Sequence, residues 1–113
     1  MSGISTHVLD LTLGRPAAGV VVRLSKETDG GWPEIAMCAT DVDGRVKSLS
    51  PEGRPVPAGR YRLRFETGEY HRVQGSSSFH PYIEIVFEVV DSAQSYHVPL
   101  LLTPYGYSTY RGS

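Results

Sequence analysis

The stretch Arg60-Tyr61-Arg62-Leu63-Arg64-Phe65-Glu66 decides the fold class, because charged and apolar side chains alternate along it without a break. Successive side chains of a β-strand point to opposite faces of a sheet. Tyr61, Leu63 and Phe65 would therefore face a hydrophobic core, while the charged residues face solvent. This period of two predicts a half-buried strand.

Further strands are predicted on both sides of this stretch, separated by turns that contain glycine or proline. Alternating and β-branched residues indicate strands over residues 5–11, 20–24, 35–40, 83–90 and 97–102. The only segment predicted to form a helix is a short one, residues 67–74, and residues 51–57 are predicted to form a proline-rich loop. At least six short strands in one chain predict an all-β sandwich.

Length and composition predict one globular domain that spans residues 1–113. Hydrophobic residues make up 40% of the chain, which is ordinary for a protein with one core. The formal net charge of −1 argues against a nucleic-acid partner, because binding phosphates requires an excess of basic residues. No apolar run approaches the ~20 residues that span a membrane, and the first residues lack the pattern of a signal peptide. We therefore expect a cytoplasmic protein without membrane contact.

Neither the single cysteine nor the acidic turn predicts a metal site, and no metal or cofactor is expected. Cys38 lies between Met37 and Ala39 in a predicted strand, so we expect a buried, unreactive thiol without a disulfide partner. Zinc would require paired cysteines or a His-x-His spacing, and the sequence has neither. The segment Asp41-Val42-Asp43-Gly44 predicts a hairpin turn, because Ala39 and Ser50 occupy the places where a calcium loop needs acidic ligands.

Two of the four histidines are unusual in their surroundings. His71 and His80 are interpreted as structural or surface residues, since they lie in the predicted helix and in a serine-rich loop. His7 and His97 instead lie in predicted strands among apolar residues, where an imidazole needs a specific partner or task. These two side chains can meet on one outer face of a sheet, although the residues alone leave that open.

The last part of the chain carries several aromatic rings next to a guanidinium. Tyr105, Tyr107 and Tyr110 precede Arg111, and so many amphipathic rings indicate an interface or a pocket. Arg45 directly follows the acidic turn, and the residues alone favour its interpretation as a solvated turn arginine.

Four segments carry a family resemblance that covers essentially the whole chain. They are Ser5-Thr6-His7-Val8-Leu9-Asp10 with Gly14-Arg15-Pro16-Ala17, then Asp43-Gly44-Arg45, Tyr96-His97-Val98-Pro99-Leu100-Leu101-Leu102 and Tyr110-Arg111-Gly112-Ser113. These segments resemble the transthyretin-like proteins that act as 5-hydroxyisourate hydrolases in purine catabolism. The final tetrapeptide is highly specific for the enzymes, because the related hormone carrier transthyretin shares the fold but lacks this tail and the set of histidines and arginine.

The resemblance implies a fold, an assembly and a reaction. The fold would be a two-sheet antiparallel sandwich of about eight strands with one short helix. The assembly would be a homotetramer with active sites at the mouths of a central channel. The reaction would be hydrolysis of a small oxidised purine: the six-membered ring of 5-hydroxyisourate opens to 2-oxo-4-hydroxy-4-carboxy-5-ureidoimidazoline during urate degradation, without a cofactor.

The resemblance also assigns the site residues. The catalytic residues would be His7, Arg45 and His97, and the substrate-binding residues would be His7, Arg45, Tyr110 and Ser113. One imidazole would take a proton from water while the other orients water or donates to the leaving nitrogen, and which does which stays open. Arg45 would polarise the carbonyl or hold an anionic ring. Tyr110 and the terminal carboxylate would close the pocket, and Arg111 would anchor the tail.

Two alternatives belong to other classes of protein. The first is a carrier of the same fold that binds a small aromatic ligand in the tetramer channel without chemistry. The second is a structural β-sandwich subunit of a larger assembly, which would need no pocket and would tolerate changes in the tail.

Overall fold

Two β-sheets pack face to face in this protein, whose computed structural model describes residues 3–49 and 56–113. The chain forms one helix, α1 (Thr67–Val73), and these strands: β1 (Gly3–Asp10), β2 (Arg15–Pro16), β3 (Val21–Lys26), β4 (Glu34–Ala39), β5 (Arg45–Val46), β6 (Gly59–Phe65), β7 (Ile83–Val89), β8 (Ser95–Thr103) and β9 (Gly106–Thr109). Most of the loop predicted over residues 51–57 lies outside the described residues. The predicted sandwich with one short helix is confirmed.

The two sheets differ in how their strands pair. The first has the order β2-β1-β8-β9 with β5 added on β1, and the second has the order β4-β3-β6-β7. Every pair is antiparallel except β1 and β8, which run parallel over the whole length of β1. Parallel neighbours need a long connection, and here the strands from β2 to β7 lie between the two in sequence. This parallel pair places β1, the first strand, beside β8, which comes late in the sequence.

The stretch that predicted the fold class forms β6 as expected. Its apolar residues Tyr61, Leu63 and Phe65 are completely buried between the sheets. The alternating arginines lie on the outer face, where they form ion pairs with glutamates of the neighbouring strands and of the β6–α1 junction. Exposed pairs of this kind contribute little to stability, so the core side chains account for most of what β6 adds.

Three strands have no counterpart in the sequence-based prediction. β2 and β5 are two residues long and β9 is polar and begins with glycine, so none shows a clear alternation. The segment from Asp41 to Gly44 is a turn as predicted: Asp41 Oδ1 accepts the backbone N–H of Asp43 and Arg45, and Gly44 has φ +74°. It is not a hairpin, however, because it links β4 in one sheet to β5 in the other.

The prediction of a buried Cys38 was wrong. Its thiol is exposed, because β4 is the edge strand of the second sheet and its residues are largely uncovered. The interpretation of the two remaining histidines is confirmed. His71 is a buried residue of α1, and His80 lies in a loop against the rings of Phe79 and Tyr107.

A buried polar network fixes the far end of β1. The Asp10 carboxylate accepts the backbone N–H of Thr12 and Leu13 and the hydroxyl of Tyr70, the last at 2.8 Å. Burial and this bond raise the pKa of Tyr70 to about 12. Burial lowers the pKa of the neighbouring His71. Because Asp10 is the last residue of β1, the network ties the end of this strand to the helix α1.

The helix α1 is the one helix in the described part of the chain, and it is much too short to reach across a membrane.

Candidate functional site

The parallel pair β1 and β8 brings His7 and His97 to the same face of the first sheet. Ser5 lies opposite His97, and His7 lies opposite Pro99, so the two histidines are on adjacent strands two positions apart. Alternate residues of β1 are buried, and Ser5 and His7 belong to the half-buried set on the outer face. The structure therefore places His7 and His97 on one outer face of a sheet, which the residues alone had left open.

Arg45 lies on the other side of His7. β5 pairs antiparallel with β1, and Arg45 is the residue directly opposite His7. Side chains of such a pair share a face of the sheet with their Cβ atoms about 5 Å apart. Arg45 is exposed, which agrees with its interpretation as a solvated turn arginine. It also lies next to the imidazole of His7, which that interpretation did not include.

The turn that precedes β5 also holds the His7 ring. His7 Nε2 is 2.8 Å from the backbone oxygen of Asp43. A carbonyl oxygen can only accept a hydrogen bond, so Nε2 must carry the proton. His7 therefore has Nδ1 left for other partners. One turn thus positions both Arg45 and the imidazole beside it.

His97 is held more tightly than His7. Its Nδ1 is 2.8 Å from Ser5 Oγ, and its backbone oxygen accepts the N–H of Gly112 at 2.8 Å. Burial lowers the pKa of His97, and the nearby charges of Arg45 and His7 lower it further. A lowered pKa keeps this imidazole neutral, and so able to accept a proton, at neutral pH.

Arg111 points away from this face and packs on β8. Its guanidinium lies 4.6 Å from the ring centroid of Tyr96 and donates a hydrogen bond to Gln94 Oε1 at 3.0 Å. A cation over an aromatic face is an attractive contact. These contacts agree with the expected anchoring role, because they fix the tail immediately before Gly112.

A cavity of about 300 Å³ opens between these elements. Its lining combines serine hydroxyls, two cations and an imidazole, contributed by Ser5, Thr6, Arg45, Val46, Lys47, Ser95, His97 and Ser113. The volume suits a small polar ligand. Of the predicted site residues, the structure brings Arg45, His97 and Ser113 to this cavity, with His7 beside Arg45.

Tyr110 lies on the other side of the tail. It lines a second, mainly apolar cavity of about 150 Å³ together with Ile85, Phe87 and Arg111. His97 borders both cavities. Within one protomer, Tyr110 is therefore next to the first cavity without lining it.

Sequence reasoning missed five residues of the cavity lining, and two of them, Ser5 and Lys47, bring polar side chains next to predicted residues. Both stand two positions from a predicted residue, Ser5 from His7 and Lys47 from Arg45, with a buried residue between. The strand period of two was therefore a signal that could have found them. No group of three or more His, Cys, Asp or Glu side chains in residues 3–49 and 56–113 is arranged to hold a metal ion.

The chain is similar to known proteins over nearly its full length. The sequence profile of the HIUase/Transthyretin family matches residues 4–112. A 5-hydroxyisourate hydrolase of Salmonella dublin is 46% identical over 110 residues, which cover 97% of this chain and 80% of that protein.

Solved structures agree in fold. The 5-hydroxyisourate hydrolase of Klebsiella pneumoniae superposes with a TM-score of 0.87 at 41% identity, covering 100% of this chain and 94% of that one. Sea bream transthyretin in complex with thyroxine superposes with a TM-score of 0.89 at 38% identity, covering 96% of this chain and 93% of that one. By sequence and by fold, the chain belongs to the HIUase/Transthyretin family.

Proposed function

We propose that this protein hydrolyses 5-hydroxyisourate by opening its six-membered ring. The observation that carries the proposal is the position of His97, an imidazole of lowered pKa at a cavity that Arg45 also lines. The relatives named 5-hydroxyisourate hydrolase support the choice of substrate.

His97 is the better candidate for the general base. Water must lose a proton as it attacks the ring carbonyl, and a neutral imidazole near its own pKa is suited to take it. With Nδ1 on Ser5, His97 keeps Nε2 for this proton. His7 already uses Nε2–H on Asp43, so it has Nδ1 to orient water or, once protonated, to donate to the leaving ring nitrogen.

Arg45 supplies the positive charge that the reaction needs. The attacked carbonyl oxygen becomes negative, and donors aimed at it lower the barrier. A guanidinium is permanently charged and presents several N–H groups in one plane. Lys47 adds a second cation to the same lining. Arg45 thus has two effects, since it also favours the neutral form of His97.

The tail completes the proposed site. Ser113 lines the cavity and is proposed to bind substrate, as is Tyr110 from the adjoining cavity across His97.

We further propose that the protein is a homotetramer, because Leu11 and Leu13, which follow β1, are 55% and 47% exposed on a single chain and would be covered in an assembly. Light scattering measures the mass of the assembly, and a monomer would contradict the proposal. The unpaired Cys38 suits a reducing compartment such as the cytoplasm.

The direct test is a rate measurement. We expect the purified protein to accelerate the ultraviolet decay of freshly generated 5-hydroxyisourate above the rate in buffer alone, in proportion to protein concentration. A rate equal to that of buffer would refute the hydrolase and favour the carrier, which the likeness to a thyroxine-bound transthyretin supports. Equilibrium dialysis with an aromatic ligand would then test the carrier.

The pH dependence of kcat/KM provides a second test. His97 acts as a base only when neutral, and its lowered pKa keeps it neutral to lower pH than usual. We therefore expect activity to fall on the acid side with a midpoint below about 6.5, the ordinary histidine value. Arg45→Gln should move this midpoint upward, because it removes a positive charge that opposes protonation. A wild-type midpoint above the ordinary value would contradict the role of His97.

A further inference from the structure

Ser5 and His97 form the most direct side-chain contact within the site. They are opposite each other in the parallel pair β1 and β8, and Ser5 Oγ is 2.8 Å from His97 Nδ1. Both residues are half-buried. Because the serine side chain is short, the backbone register itself fixes this contact.

The opposite edge of the His97 ring faces the backbone of Gly112. A Cβ atom added to Gly112 would lie 2.5 Å from His97 Cδ2 and 3.2 Å from Cγ. The ring is thus held between the Ser5 hydroxyl on its Nδ1 side and the tail on its Cδ2 side. Nε2 forms no hydrogen bond with residues 3–49 or 56–113, so this nitrogen is the one open to water or substrate.

Whether Nδ1 of His97 carries a proton determines whether Nε2 can accept one. A neutral imidazole has one N–H and one nitrogen with a free lone pair. If Nδ1–H donates to Ser5 Oγ, the lone pair is on Nε2, and the ring can take a proton there. After that transfer Nδ1–H still donates to the same oxygen, so the bond persists through the reaction. The same orienting arrangement holds the base of hydrolytic triads.

We propose that Ser5 is a positioning residue that holds His97 in the Nδ1–H tautomer with Nε2 free as the base. This inference rests on the proposed function, and it extends it to a residue outside the predicted site set. A competing role for the same contact is that of a nucleophile, in which Ser5 Oγ attacks the carbonyl and His97 takes its proton. A positioning residue and a nucleophile predict different consequences when the hydroxyl is removed.

Kinetics of Ser5→Ala and Ser5→Thr distinguish the two roles. For positioning, we expect Ser5→Ala to lower kcat about tenfold, the scale of one hydrogen bond, with KM changed less than about twofold. Ser5→Thr keeps a hydroxyl on the same carbon and should restore most of kcat. Ser25→Ala makes the same change in β3 of the other sheet and should leave kcat unaltered. Complete loss in Ser5→Ala, with a covalent adduct on the wild-type protein by mass spectrometry, would overturn the proposal in favour of the nucleophile.

The tautomer can be measured without any turnover. Nitrogen-15 shifts of the His97 ring, recorded above its pKa, should show Nδ1–H in the wild type and a mixture of tautomers in Ser5→Ala. A wild-type ring protonated on Nε2 would overturn the proposal even if the protein is a hydrolase. If the wild-type protein showed the expected nitrogen-15 shifts but no hydrolase activity, the positioning of His97 by Ser5 would be confirmed and only the proposed reaction would be refuted.

Discussion

His97→Ala is expected to lower kcat/KM for 5-hydroxyisourate by about 10²-fold or more, and Arg45→Ala by a comparable factor. A positioned general base typically contributes ~10²-fold to 10⁴-fold. A donor aimed at a developing oxyanion contributes ~10²-fold to 10³-fold. The measurement is the initial ultraviolet decay of substrate under conditions where the uncatalysed rate has been subtracted.

Three comparisons separate lost chemistry from lost structure. His80→Ala and Arg72→Ala remove an imidazole and a guanidinium outside the site, and we expect both to retain wild-type activity. Thermal unfolding of all four variants should stay close to the wild type, because none of the four side chains belongs to the hydrophobic core. Imidazole in the buffer should restore part of the activity of His97→Ala, since it can enter the space left by the ring, but not that of Arg45→Ala.

The double variant tests whether the two residues act through one another. Arg45 helps to lower the pKa of His97, so part of its effect disappears once the imidazole is gone. The double variant should therefore be more active than the product of the single effects would give. His97→Ala with more than about a third of wild-type kcat/KM would exclude this residue as the base.

The faces of the strands could be predicted from the sequence, but their neighbours could not. Alternation places Tyr61 in the core and puts His7 and Ser5 on one face of β1. It does not say that β1 lies beside β8, because Ser5 and His97 are 92 positions apart and any order of strands satisfies the same alternation. Only the family resemblance led to the expectation that the two histidines meet.

Short elements explain the rest of what sequence reasoning missed. β5 has two residues, so no pattern indicated that Arg45 pairs with His7, and the turn before it looked like a hairpin.

The exposure of Cys38 was mispredicted because a strand of small and apolar residues has the same sequence pattern at the edge of a sheet as at its centre. Propensity describes the strand itself, whereas exposure depends on what covers it.

Gly112→Ala is expected to abolish most of the activity while leaving the fold intact. The added Cβ would be 2.5 Å from His97 Cδ2, closer than such atoms approach in proteins, and 3.3 Å from His97 Cβ. The ring cannot rotate away without losing a contact, because Ser5 Oγ is hydrogen-bonded to Nδ1 on its other edge. Either the tail lifts and breaks the bond from Gly112 N–H to the His97 oxygen, or the ring leaves Ser5.

Both responses disturb the geometry that the reaction needs. A lifted tail moves Ser113 from the cavity that Arg45 lines, and a displaced ring removes the base from its place. Misplacement of a catalytic group by ~1 Å can cost about 10²-fold, so we expect kcat/KM to fall by at least that factor. None of the residues 110–113 belongs to the buried core, so the melting temperature should change by only a few degrees.

The matched control for this variant is Gly106→Ala in the neighbouring strand β9. A Cβ at Gly106 would meet only Thr103 Oγ1, at 3.8 Å, which is ordinary contact. The same added methyl group should therefore leave activity near that of the wild type. If Gly112→Ala also kept more than about a third of wild-type kcat/KM, the tail would not set the position of His97. If Gly106→Ala lost as much activity as Gly112→Ala, the effect would come from β9 as a whole and not from the contact with the imidazole.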